Sequence, residues 1–119
     1  MEPYERLRAW KASHDVVLRT YKLTESWPNH ETYGLIAQAR RAAFSVASNI
    51  AEGSAKRGSR EFCRFLDIAI GSTAELSYIL RVALDLGFLP RHDWEEIETS
   101  RNEAGKQLWR LYEASKRKP

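Results

Sequence analysis

The sequence predicts an all-α protein, an antiparallel up-down-up-down bundle of four helices, and three observations predict it. Apolar residues recur at the helical spacing of three and four along the 119 residues, with no competing strand-like alternation. Glycine and proline punctuate the chain at Pro3, Pro28 to Gly34, Gly53 to Gly58 and Gly87 to Pro90, leaving four long segments. The linkers are short, which makes consecutive helices antiparallel. One domain over residues 1–119 follows, with helices over residues 5–26, 30–52, 59–86 and 93–116 around a single core.

In the first helix Leu7, Trp10, His14, Val17, Tyr21 and Thr24 keep a heptad spacing, so this row is the expected core seam. The second carries the seam Leu35, Ala39, Ala42, Val46 and Asn49. Beside it runs a polar row, Gln38, Arg41, Ser45, Asn49 and Glu52. Small residues fill much of the remainder, which lets a neighbour approach closely. The third helix has the seam Phe62, Leu66, Ala69, Thr73, Leu76, Leu80 and Ala83. A second stripe lies about 100° around it: Phe65, Ile68, Ser72, Glu75, Ile79, Val82 and Leu86. That stripe is either the contact with a second neighbouring helix or a subunit interface; Phe44, Ile36 and Trp27 also lie off their seams. Gly71, inside this helix at a cost of ~1 kcal/mol relative to alanine, points to a close helix contact. The fourth helix repeats the pattern with Trp94, Ile97, Ala104, Leu108 and Leu111. Asp93 and Glu96 have capping-box spacing at its start, and Gly53 and Gly87 stand where helix ends favour positive φ.

A carboxylate among apolar residues is expensive to bury alone, so Glu75 is expected to pair with Arg41, about level with it across the Ser54 to Gly58 turn. Arg41, Ser45, Asn49, Glu52, Ser72 and Glu75 together form the expected structural polar network. The topology also separates charge. One end collects Arg6, Arg8, Lys11, Lys56, Arg57, Arg60, Arg64, Arg110, Lys116, Arg117 and Lys118. The other holds Glu25, Glu31, Asp93, Glu95, Glu96 and Glu98. Basic side chains around a glycine-flanked turn suit phosphate neutralisation. Lys56, Arg57, Arg60 and Arg64, assisted by Lys116, Arg117 and Lys118, are the candidate nucleic-acid-binding residues.

Other classes find little footing. Charged residues at 29% and hydrophobic ones at 43% describe an ordinary globular protein, and a net charge of +3 with pI near 9.2 names no partner alone. No signal-peptide layout and no bilayer-length apolar run are present, and the single Cys63 fits a reducing compartment; a cytoplasmic protein without a membrane partner is expected. No Glu-x-x-His pair, zinc spacing or glycine-rich phosphate loop occurs, so no metal, cofactor or catalytic residue is expected. Arg8 and His14, five residues apart, imitate the Arg/His motif of helical-bundle ribonucleases, but Ala9 replaces the usual polar residue and His14 falls on the predicted seam. Cys63 reads as a small helix residue.

Leu7-Arg8-Ala9-Trp10-Lys11, Tyr33-Gly34-Leu35, Gln38-Ala39-Arg40-Arg41-Ala42-Ala43-Phe44-Ser45, Asn49-Ile50-Ala51-Glu52-Gly53 and Ala69-Ile70-Gly71-Ser72-Thr73-Ala74-Glu75-Leu76, in that order, carry a resemblance. They resemble the bacterial four-helix-bundle proteins encoded in intervening sequences of 23S ribosomal RNA genes, over roughly Tyr4 to Leu111. The resemblance implies an antiparallel bundle, a homopentamer and no established enzymatic activity. A related branch, the accessory proteins of diversity-generating retroelements, implies a reverse-transcriptase-like partner and contact with nucleic acid through a basic surface. The expectation is therefore a non-enzymatic oligomeric protein binding RNA or a nucleic-acid-processing partner. The alternatives are a scaffolding homo-oligomer without nucleic-acid affinity and, behind it, a small ribonuclease.

Overall fold

Large aliphatic side chains at three-and-four spacing seat the two longest helices. The computed structural model describes residues 1–118, with α1 over Arg8–Thr24, α2 over Leu35–Ser54, α3 over Ser59–Asp85 and α4 over Arg91–Lys116. Short 3-10 turns at Pro3–Arg6 and Asn29–Glu31 precede α1 and α2. Each helix packs on the next and α4 returns to α1, closing a four-sided bundle of 47 × 24 × 24 Å. The sequence expectation of an all-α, up-down bundle is met.

The core has two lobes. Val16, Trp27, Ile36, Leu76, Leu80, Leu89 and Ile97 fill the larger one, while Ala9, Val46, Ile50, Leu66 and Leu108 fill the smaller. Each fully buried Leu or Ile contributes roughly 1.5–3 kcal/mol by leaving water. The predicted α3 seam is inside, with Leu66, Ala69, Leu76, Leu80 and Ala83 buried, and so is that of α4 at Ile97, Ala104 and Leu108.

Helix α1 differs from its expected packing. Its buried face is Ala9, Ser13, Val16, Val17, Thr20 and Thr24, whereas His14 and Tyr21 are exposed and Trp10 is half-buried. Small and hydroxyl-bearing residues face the core because they let α1 lie close against its neighbours. Its larger seam residues are thereby rotated outward. Ile36 and Trp27, predicted off-seam, are core residues, while Phe44 stays 57% exposed. The second α3 stripe divides: Phe65, Ser72 and Ile79 are buried, and Ile68, Glu75 and Leu86 face outward.

The punctuation differs as well. Helix α4 starts at Arg91 after Pro90, with no side-chain cap, so Asp93 stands in its first turn and the Asp93–Glu96 box does not form. The reciprocal box forms instead at the first 3-10 turn, where the Glu2 N–H donates to Glu5 Oε1 at 2.9 Å. Gly53 does not adopt positive φ; it is buried inside α2. A Cβ there would lie 2.8 Å from both Phe62 and Phe65, so glycine permits the close approach of α2 and α3. Positive φ belongs to Gly58 and Gly87, each at 81°. Gly71 has open space where its Cβ would be, so no contact within the bundle explains it.

Candidate nucleic-acid interface

The turn between α2 and α3 brings four chain segments to one pole. Gly58, at φ 81°, occupies the N-cap of α3, a conformation that other residues adopt at a cost. The turn sits against the last residues of α4, where Ser59 Oγ donates to the Lys118 carbonyl at 3.4 Å. Three hollows mark this pole. One of about 310 Å³ is lined by Leu7, Lys56, Gly58, Ser59, Ser115 and Lys118, among others. A second, also about 310 Å³, is lined by Ser59, Arg60, Cys63, Ser115, Lys116 and Lys118. Arg6, Arg8 and Arg110 line a third of about 270 Å³ with Leu7 and Leu111. Shared walls make the three one continuous basic surface.

Lys56, Arg57, Arg60, Lys116, Arg117 and Lys118 are exposed, and among the described residues none joins an ion pair. Arg64 is different. It pairs with Glu61 at 3.2 Å and lies 4.8 Å over the Phe65 ring, so part of its charge is answered within α3. The Lys56 ammonium lies 5.5 Å from the centre of the same ring.

The opposite pole is acidic, and three of its carboxylates, those of Glu31, Glu96 and Glu98, have partners, whereas Glu25, Asp93 and Glu95 join no ion pair among the described residues. Glu31 Oε1 accepts the Leu35 N–H at 2.9 Å, satisfying a free donor at the start of α2. Glu96 pairs with His92 at 2.8 Å. Glu98 pairs with Arg101 in a setting only about 15% exposed and accepts from Ser77 Oγ at 3.4 Å.

The expected polar network forms in part. Ser45 and Ser72 share a hydroxyl hydrogen bond of 2.8 Å across α2 and α3, and Asn49 Nδ2 donates to the Ser45 carbonyl at 2.8 Å. Counting from the Ser45–Ser72 contact in antiparallel sense puts Arg41 level with residues 75–76, as predicted. Both Arg41 and Glu75 nevertheless point to solvent and no ion pair joins them, while Glu52 is also exposed. Two small hydroxyls fit the tight helix contact; two long charged chains reach water more cheaply outside it.

Sequence reasoning missed two aromatic features. Trp109, 54% exposed on α4, stacks on Tyr112 with ring centres 5.6 Å apart. Its Trp-x-x-Tyr helical spacing was the available signal. A groove of about 280 Å³ between α1 and α2 is lined by Tyr4, Trp10, His14, Val17 and Phe44, among others. His14, expected to be partly buried in the core, instead stacks on Trp10 at 4.8 Å. Arg8 lines the hollow with Arg110 rather than this groove, so the ribonuclease-like pair does not share one site.

Among the described residues no helix is long and apolar enough to cross a membrane. Nor does any group of three or more His, Cys, Asp or Glu side chains lie together as metal ligands would.

No curated protein matches the sequence. A crystal structure of a protein of unknown function from the S23 ribosomal protein family of Bacteroides thetaiotaomicron VPI-5482 superposes with a TM-score of 0.78. The match has 21% identity and covers 87% of this chain and 97% of that one, which shows a common fold. The profile of the 23S rRNA-intervening sequence proteins matches residues 5–110, with the motifs around Arg41, Asn49 and Glu75 inside that span, and the chain belongs to this family.

Proposed function

We propose that the chain is a non-enzymatic binding protein whose basic pole engages RNA. The observation that supports the reading is the run of exposed cations around one helix junction, none in an ion pair among the described residues: Lys56, Arg57, Arg60, Lys116, Arg117 and Lys118. Such charges contribute little to folding and neutralise phosphates by releasing counterions. The Trp109–Tyr112 stack, earlier on the same helix as Lys116, offers a face for an unpaired base.

Neutralising Lys56, Arg57 and Arg60 together to Gln tests the assignment in a fluorescence-anisotropy titration with structured RNA. The salt dependence should flatten by about two in log–log slope, at ~0.7 per phosphate contact for single strands. Affinity at low salt should fall at least tenfold, and the thermal midpoint should stay unchanged. Equal affinity in the triple variant would remove the basic pole from the site. RNA-independent capture of a nucleic-acid-processing protein would move the function to that partner.

A second reading rests on the apolar surface. Phe44, 57% exposed, lines the groove of Trp10 and His14, Leu18 on α1 is 58% exposed, and such apolar surface suits assembly of identical chains. On this reading the homo-oligomer is the functional object, and RNA affinity is absent. Light scattering and RNA titration of the unmodified and Phe44→Glu chains check it: assembly lost in the variant, with no RNA binding by either chain, supports this reading, and RNA binding by either overturns it.

A further inference from the structure

We propose that the groove between the last two turns of α1 and the first two turns of α4 binds a free aliphatic amino acid, its carboxylate toward α1 and its ammonium toward α4. The inference is independent of the RNA reading, because this groove lies at the acidic pole.

The groove, of about 210 Å³, is lined by Arg19, Lys22 and Leu23 from α1 and by Asp93, Glu96 and Ile97 from α4. Its charges divide by helix. Those from α1 are all positive, and those from α4 are all negative. Opposite charges so placed have the means to close the groove with ion pairs, yet among the described residues none crosses it. Arg19 pairs instead with Asp15 at 2.7 Å, and Glu96 with His92 at 2.8 Å, each along its own helix. Lys22 and Asp93 join no ion pair among the described residues. Pairing along each helix leaves the two charged sides apart and the space between them open.

The other two lining residues are aliphatic. Ile97 is 1% exposed, and Leu23 packs against the larger core lobe. Apolar surface between a cationic side and an anionic side suits a molecule that carries a carboxylate, an ammonium and a hydrocarbon side chain. A ligand of one sign leaves one side of the groove unanswered, and a purely apolar ligand leaves both. An amino acid answers both with charge-assisted hydrogen bonds while its side chain covers Leu23 and Ile97. The volume limits the ligand to a small molecule, for which leucine is the probe.

The test titrates the full chain with leucine and follows the methyl signals of Leu23 and Ile97 by NMR. Saturable shifts are expected, with a dissociation constant of about 1 mM, the scale open to so small a ligand in an open groove. Isovalerate keeps the carboxylate and the hydrocarbon, and isoamylamine keeps the ammonium and the hydrocarbon. Each should bind about tenfold weaker than leucine, having lost one charged contact. Two variants assign the ends. Lys22→Gln should weaken leucine about fivefold and leave isoamylamine unaffected. Asp93→Asn should weaken leucine about as much and leave isovalerate unaffected. Lys22 is exposed and outside any ion pair among the described residues, so its variant should keep the urea midpoint of the parent chain.

Absence of shifts at Leu23 and Ile97, even at about twenty times that leucine concentration, overturns the proposal. Isovalerate or isoamylamine binding as tightly as leucine reduces the groove to a site for a single charge and overturns it as well. So does a leucine affinity that neither variant changes. A lowered urea midpoint in Lys22→Gln, with no response to leucine in the parent chain, means that Lys22 closes on the α4 carboxylates in solution and leaves no room for a ligand, which also overturns the proposal.

Discussion

The two poles of the bundle use their charges in opposite ways. At the acidic end Glu31 holds the first amide of α2, Glu96 answers His92, and Glu98 pairs with Arg101 along α4 and accepts from Ser77 of α3. At the basic end Lys56, Arg57, Arg60 and Lys116 to Lys118 are exposed and join no ion pair among the described residues. Charges with internal partners fix helix ends and registers, and their field is largely cancelled nearby. Charges without partners add up to a local potential that the modest net charge of +3 understates. One pole ties part of its charge into the fold, and the other leaves most of its charge to solvent.

Four substitutions bear on that contrast. The largest effect is expected from Trp27→Ala at the acidic pole, where a side chain 2% exposed is removed from beside Phe88. Urea denaturation should show a loss of about 3–5 kcal/mol, with RNA affinity per folded molecule unchanged. Gly53→Ala follows, and it is the exception that sharpens the contrast. The added methyl meets Phe62 and Phe65 at the root of the basic pole, so about 1–3 kcal/mol of stability should be lost there. Tolerance of alanine would mean that α2 and α3 can part locally without loss. Trp109→Ala should lower RNA affinity by about 1–2 kcal/mol while leaving the salt slope intact, because stacking releases no counterions. Smallest is Glu31→Ala, which removes the acceptor for the Leu35 amide and should cost about 1 kcal/mol in thermal or urea melts, with no effect on RNA. Reduced RNA affinity in that variant would break the division between the poles.

Much of the architecture is legible in the sequence because α3 and α4 bury large aliphatics at regular spacing. Leu66, Leu76, Leu80, Ile97 and Leu108 are all where periodicity puts them. Helix α1 misleads in part for a physical reason: Val17 and Thr24 are buried as the seam requires, but beside them the core face holds Ala9, Ser13, Val16 and Thr20, mostly small or polar, while Trp10 and Tyr21 dominate the pattern from the outer side. The pairing of Arg41 with Glu75 fails differently. Sequence counting gets their level right through the Ser45–Ser72 register, but level does not fix the direction in which a long side chain points. The basic pole is legible because topology alone gathers its residues. The diversion of Arg64 to Glu61 is local geometry that charge counting does not weigh.

The stack of His14 on Trp10, with planes 11° apart beside exposed Phe44, gives the α1–α2 groove its own optical reporter. Trp10 is half-buried in that stack, while Trp27 and Trp94 sit at the far end of the bundle and Trp109 lies on the outside of α4. Acrylamide quenching compared between the full chain and a Trp10→Phe variant therefore separates this reporter from Trp109 and reads solvent access to the groove without a label.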